Sequence, residues 1–370
     1  MKVVIAPDKF KGSLTTFDVC KAIAAGIRSV DPSVETLSFP MADGGDGFAA
    51  VMKYYQHTTT VTCSTEDPLG RPVTASYELK GDTAIIELAS ASGLMLLKED
   101  ERNALKTSTY GTGRMIKDAV TAGARKIILG LGGSATNDAG TGILAALGFQ
   151  LKDKDGHTIK ACGENLIHID HIIPPPEYPD IKFEIACDVQ NTLYGPQGAA
   201  FVYAPQKGAS PEGIQLLDAG LRNFAEVIKR QYHKDVAGIP GAGAAGGIAA
   251  GLMGCWEVRL IKGIEWIMDT SGIKDILPEA DLVITGEGKI DKQSLYGKVV
   301  AEISLLAKKY HIPVVAFCGA SDIQDADRRQ LNLQTVRVIT PAGMPAKEAM
   351  AHADKLLVKQ AAEYFGTISP

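Results

Sequence analysis

No uninterrupted apolar stretch in the 370 residues is long enough to cross a bilayer, so no membrane partner is expected. Basic surplus is also lacking. The 38 Lys and Arg against 43 Asp and Glu leave a formal charge of −5, and no basic stripe appears, which argues against nucleic acid. There is no C-x-x-C pair. The cysteines (Cys20, Cys63, Cys162, Cys187, Cys255 and Cys318) are far apart and mostly flanked by apolar residues, as buried reduced thiols of a cytoplasmic protein would be. Structural zinc and disulfides are disfavoured. The histidines share no i, i+4 spacing that would suggest a helical metal site, and His168 with His171 leads straight into prolines. No G-x-x-x-x-G-K-[ST] sequence occurs, which excludes a P-loop kinase, and no G-x-S-x-G elbow supports a serine hydrolase. Internal repeats are absent as well.

What is present is ordinary in bulk and unusual in one residue. Hydrophobic content of 45% and charged content of 22% are those of a globular protein, and the length suggests two domains. The opening segment, residues 1–8, reads as a strand rather than a signal peptide. Glycine is the exception: 39 residues, about one in ten, where roughly 7% would be usual.

Periodicity places a strand at 2–6, a capped helix from Thr15-x-x-Asp18 to about 30, a strand at 34–39 and a helix at 48–55. Residues 59–89 read instead as an antiparallel meander with turns at 67–70 and 81–82. Mixed material follows: a helix from about 113, a strand at 126–129, a helix over 138–147, a hairpin at 153–156, a loop over 174–179, a strand at 182–187 and a long helix from 211 to about 232. Strands at 281–285, 313–318 and 335–339 then alternate with helices over 298–310, 322–331 and 347–364. Two parallel strands alone make no covered sheet, but three more at the other end would complete one. The fold class is therefore α/β with two domains. A discontinuous Rossmann-like parallel-sheet domain, residues 1–58 and 279–370, is interrupted by a mixed α/β domain, residues 59–278.

The glycines fall in four clusters. The run 238–254 holds a formal G-x-G-x-x-G, Gly241 to Gly246, but no strand precedes it and helix packing explains it better. The run from Gly130 through Gly132, Gly133 and Ser134 to Asn137 and Asp138 sits between a strand and a helix. With Asp153 about twenty residues on, Gly130–Ala135 could serve NAD, although its polar side chains suit phosphate better. The other two clusters carry charge: Asp43, Gly44, Gly45 and Asp46 in one, and Glu287, Lys289 and Asp291 in the other. Both lie at the carboxyl ends of parallel strands, where open α/β sheets bind ligands. Asp8, Lys9 and Lys11 follow the first strand and face the same edge. Asp188 ends an apolar strand, so it either caps a turn or does chemistry.

In order, these segments resemble the bacterial glycerate kinase family, the type I glycerate 2-kinases unrelated to P-loop enzymes. The matching stretches include Ala6-Pro7-Asp8-Lys9-Phe10-Lys11-Gly12-Ser13, Ala42-Asp43-Gly44-Gly45-Asp46-Gly47 and Glu87-Leu88-Ala89-Ser90-Ala91-Ser92-Gly93. They continue with Thr107 to Gly113, Gly132 to Asp138, Ala186-Cys187-Asp188-Val189, Pro205-Gln206-Lys207-Gly208-Ala209, Pro240 to Gly247 and Leu282 to Asp291. Lys9, Asp46, Thr192 and Lys289 depart from the residues usual in that family.

The resemblance implies ATP-dependent, Mg²⁺-assisted phosphorylation of D-glycerate to 2-phospho-D-glycerate in a cleft between two α/β domains. Under it, Asp188 is the candidate base, and Lys289 neutralises the carboxylate or the transferring phosphoryl group. Asp8, Lys11, Asp43, Gly44, Gly45 and Asp291 are the candidate substrate contacts, with Asp43 also a candidate Mg²⁺ ligand. Gly132, Gly133, Ser134, Asn137 and Asp138 are the candidate phosphate-binding residues for ATP. Two other readings stand beside it: an NAD-dependent oxidoreductase using Gly130–Ala135, and a non-catalytic sugar-acid-binding protein. No sequence feature sets an oligomeric state.

Overall fold

The computed structural model describes residues 1–177, 180–295 and 297–368. Two residues of the loop expected over 174–179 lie outside that range. Strands β1 (Lys2–Ile5) and β2 (Glu35–Ser38) open the chain. Strands β3 (Thr59–Glu66), β4 (Pro72–Lys80), β5 (Thr83–Glu87), β6 (Lys126–Gly130), β7 (Gln150–Lys152), β8 (His171–Ile173), β9 (Lys182–Ala186) and β10 (Glu257–Ile261) follow. Strands β11 (Leu282–Ile290), β12 (Val314–Ser321) and β13 (Thr335–Val338) come last. The chain divides into two compact units, Met1–Asp43 with Lys262–Pro370, and Gly44–Ile261.

In the first unit an all-parallel sheet runs in the order β13-β12-β11-β1-β2. The N-terminal strand is central because Val3, Val4 and Ile5 are fully buried and can be covered on both faces only there. Helix Thr16–Val30 links β1 to β2. It starts where Thr15 Oγ1 accepts from the Asp18 amide at 3.2 Å, and Val19, Ile23 and Ile27 enter a core with Val3, Ile5, Phe317, Leu357 and Phe365. From β1 the chain moves outward to β2. Much later it returns to β1's other side as β11 and continues away through β12 and β13. Strand order therefore reverses between β1 and β11, the topological switch point of the sheet.

The second unit holds a six-stranded mixed sheet, β10-β9-β6-β5-β4-β3, and a small β7-β8 hairpin. The expected meander is β3-β4-β5, and β5, β6, β9 and β10 are mutually parallel. Sequence periodicity missed β10 and the two helices around it. Helix Ala244–Cys255 is buried along nearly its whole length, so its residues carry no amphipathic period. Helix Gly263–Ser271 follows β10 directly. Sequence reading has the unit boundaries near 58 and 279. Packing moves them to Asp43 and Ile261, because helix Phe48–Gln56 lies on β4 and β5 while helix Gly263–Ser271 packs on helix Val299–Lys309. The expected helix over 347–364 is two helices, Ala346–Ala351 and Ala353–Ile368. All six cysteines are buried and free. Among the described residues no helix is long and apolar enough to cross a membrane.

Helices Thr16–Val30 and Ala353–Ile368 cross at Gly26, where a Cβ would lie 2.4 Å from the Val358 carbonyl oxygen and 2.7 Å from Ala361 Cβ. In an exposed helix Gly→Ala stabilises by about 1 kcal/mol. Here overpacking reverses the sign. Gly26→Ala is expected to destabilise the protein by about 1–3 kcal/mol in urea unfolding, and a stabilised variant would show that the helices separate without cost.

Candidate active site

At the switch point of the first unit, backbone pairing continues past the strands: the Ala6 amide donates to Ile284 O (2.7 Å) and the Asp8 amide to Gly286 O (2.8 Å). This sets Asp8 beside Glu287, and Asp43 ends the segment that follows β2. Asp8 is 7% exposed and Glu287 8%. Burial, reinforced by the Asp43 charge, pushes the Asp8 carboxyl up to about 7. The amide and ammonium of Lys9 oppose that rise, at 2.7 and 3.8 Å from Oδ1. Burial also raises Glu287, with Asp43 and Asp291 adding to the effect, while Ser294 and the Lys298 ammonium at 3.8 Å work against it. Glu287 Oε1 is buried without a hydrogen-bond partner among the described residues. A carboxylate oxygen shielded from water and lacking a donor is a place for a hydroxyl or a cation.

The same edge carries cations. Lys289 Nζ reaches Asp322 at 2.9 Å and Asp291 at 3.6 Å, and its pKa is raised, chiefly by the hydrogen bond to Asp322. Lys11 is exposed on the loop after β1, which packs against Gly288.

The residues present fit Mg²⁺. The donors are hard carboxylate oxygens, one of them an orphan, and Mg²⁺ usually needs only one or two carboxylates beside water and phosphate. Among the described residues, one group has three ligand atoms within 4.8 Å of one another: Asp153, Asp155 and His157, on a largely exposed turn. There Asp153 Oδ1 already accepts from the Asp155 and His157 amides at 3.0 and 2.8 Å, which is turn chemistry.

In the second unit the carboxyl ends of β6 and β9 bring together Gly44, Gly45, Gly132 and Asp188. Gly44 lies against Ala186 at the end of β9, and a Cβ on Gly132 would stand 2.3 Å from Gly45 Cα, so two backbones touch there. Asp188 follows β9 and is partly buried. The amides of Gly132, Gly133 and Ser134 donate to no acceptor among the described residues, as a loop that cradles an anion requires.

Asn137 and Asp138 are fully buried. The helix expected from 138 begins at Thr141 and has six residues. Ala139 (φ 51°) and Gly140 (φ 71°) are left-handed and cannot belong to its first turn. Asp138 holds that turn: its carboxylate accepts from the Thr109 amide and hydroxyl at 2.8 Å each, and from the Gly140 and Gly142 amides at 3.2 Å each. Both side-chain polar atoms of Asn137 are buried without partners. The dinucleotide reading of Gly130–Ala135 loses its context, because no helix N-terminus follows the glycines directly and Asp153 is spent on its own turn.

Two buried residues, one in each unit, are given no role by the sequence reading. Glu287 belongs to the charged glycine cluster with Lys289 and Asp291, but only those two neighbours carry an expected role. Lys207 stands in the family-like stretch Pro205-Gln206-Lys207-Gly208-Ala209, and it is only 2% exposed.

Fold and site together define an α/β protein that places carboxylates and lysines at the carboxyl ends of the parallel strands in one unit and, in the other, loop amides with no acceptor among the described residues. The glycerate kinase family model matches residues 3–369, and the chain belongs to that family. It is 41% identical to the glycerate kinase of Halalkalibacterium halodurans, over 99% of this chain and 98% of that protein. It is 43% identical to the glycerate 2-kinase of Escherichia coli, over 86% and 85%. A Salmonella typhimurium crystal structure, provisionally named glycerate kinase 2, superposes with a TM-score of 0.84 at 38% identity, covering 100% of this chain and 98% of that one.

The Asp8 environment gives a stability signature. Its folded pKa lies above the ordinary 3.8, so the cost of ionising it is absent below about pH 4, grows as the pH rises to about 7, and is full above that. Asp8→Asn should therefore be more stable than the parent in Mg²⁺-free urea unfolding at pH 8, by an amount on the order of a few kcal/mol. The gain should close toward pH 4. An equal gain at both pH values would mean that ionisation of Asp8 is not its source.

Proposed function

We propose that this protein transfers the terminal phosphoryl group of ATP to D-glycerate, forming ADP and 2-phospho-D-glycerate in the cytoplasm. The observation that carries the reading is the buried Asp8–Glu287 edge with its unpartnered carboxylate oxygen, which suits a polyhydroxylated or metal-bound ligand. The names of the relatives support the substrate, and that of the Escherichia coli relative supports the 2-position. The five-stranded parallel sheet is the Rossmann-like part of this reading.

Phosphoryl transfer asks a protein chiefly for positioning, charge neutralisation and a proton acceptor. In this reading Asp8, Asp43, Gly44, Gly45 and Asp291 orient the glycerate hydroxyls. Lys11 and Lys289 neutralise its carboxylate or the moving phosphoryl group. Asp188 takes the proton from the attacking hydroxyl. The amides of Gly132, Gly133 and Ser134 hold nucleotide phosphate, with Asn137 as a further polar contact, and Asp138 fixes the turn beneath them. Asp43, with Asp8 or Glu287, would hold Mg²⁺, which when bound offsets phosphate charge.

The direct test incubates the protein with D-glycerate, ATP and Mg²⁺, follows ADP release and identifies the product by NMR. Glycerate-dependent ADP release with phosphate on the 2-hydroxyl is expected, and release that ignores glycerate would overturn the reading. For Asp188→Asn, kcat should fall by about a hundredfold or more with an unchanged melting temperature. Near-normal turnover would remove Asp188 from the chemistry.

A further inference from the structure

Lys207 ends the short turn Pro205–Lys207, and its ammonium is buried in the second unit. Nζ donates to Ser134 Oγ at 2.7 Å and to the Thr136 carbonyl oxygen at 2.7 Å. Burial lowers its pKa to about 7, with the charge of buried Asp138 acting the other way. A lysine is an expensive way to pin a loop, since neutral donors would make the same two bonds without desolvating a charge.

The rest of the loop is already pinned. The Leu94 amide donates to Gly133 O (2.8 Å), the Ala135 amide to Ser92 O (2.9 Å), and Thr107 Oγ1 to Ala135 O (2.9 Å). Carbonyls, side chains and the Ala135 amide are thus tied to the protein body, while the amides of Gly132, Gly133 and Ser134 have no acceptor among the described residues. A segment held mainly by its acceptors with three successive donors left over, and backed by a buried cation, is complementary to an anion.

We propose that Lys207 is a positioning residue: anchored on Ser134 Oγ and Thr136 O, it holds the Gly132–Ser134 amides in the conformation that receives nucleotide phosphate, and it places positive charge behind them. The inference rests on the assignment of that loop to ATP and goes beyond it by naming what orders the loop.

The experiment compares Lys207→Met, Ser134→Ala and the double variant in the full-length enzyme, measuring kcat, both KM values and the melting temperature. Lys207→Met should raise KM for ATP by about tenfold or more, as the loss of one charge-assisted contact implies, and leave KM for D-glycerate within about twofold. Ser134→Ala should raise KM for ATP less, and the double variant should be no worse than Lys207→Met alone, because both act through one loop. A purely structural lysine would move both KM values together, and that result overturns the inference. A raised KM for ATP in Ser134→Ala with Lys207→Met unchanged overturns the role of Lys207 alone. No change in either overturns the nucleotide assignment beneath it. If Lys207→Met does not fold, Lys207→Gln, which keeps a donor and loses the charge, carries the same expectations.

Discussion

The parallel pairing of β1 with β11 is the constraint on which the first unit depends. It joins segments far apart in the chain, with Thr285 donating to the Ala6 carbonyl across 279 positions. Closing so long a loop is less costly than it looks, because the entropic term grows only with the logarithm of length. An entire second unit can therefore sit between the two halves of one sheet. The reward is a central strand, Val3–Ile5, whose side chains reach zero exposure. Everything at the carboxyl edge inherits its register from that pairing.

The same pairing explains why carboxylates are buried there. Once the Asp8 amide donates to Gly286 O, the chain has no freedom to swing Asp8 away from Glu287, and Asp43 bears on both. Lys9 and Lys298 stand at 3.8 Å from them, too far for a tight ion pair. A fold selected for stability alone would replace one of these acids with an apolar side chain, since uncompensated buried charge costs several kcal/mol or more. Buried acids at the switch point of a parallel sheet are the arrangement a ligand site calls for.

The ends of the chain were legible in the sequence because their strands and helices keep clean periods and short connections. Residues 2–56 and 281–365 alternate as the sheet requires. The middle was less legible for one recurring reason: complete burial erases the polar face that periodicity needs. Helix Ala244–Cys255 and the turn around Asn137 are both cases, and in the turn local hydrogen bonds to Asp138 decide where the helix starts. The strand-end segments that join glycine to acid were visible in the sequence. The burial of Glu287 and Lys207 was not, because exposure is a tertiary property. Lys289, more eye-catching in sequence, has an exposed side chain paired with Asp322, whereas Glu287 is shielded.

Asp8 and Lys207 are opposite cases of one problem. Each is an ionisable side chain held in a dry setting, each in a different unit, and each displaced toward its neutral form, the acid upward and the amine downward to about 7. Neither displacement helps the fold, because in both cases desolvation outweighs the partners supplied by the protein. Water competes least at such positions, so a complementary charge from a ligand interacts there far more strongly than at the exposed Lys11 or Lys289. Groups that weaken the fold in this way are also able to contribute strongly to holding a small, highly charged ligand. Under the proposed function, opposite signs in separate units would divide the work: carboxylates for hydroxyls and metal on one sheet edge, a cation-backed amide loop for phosphate on the other.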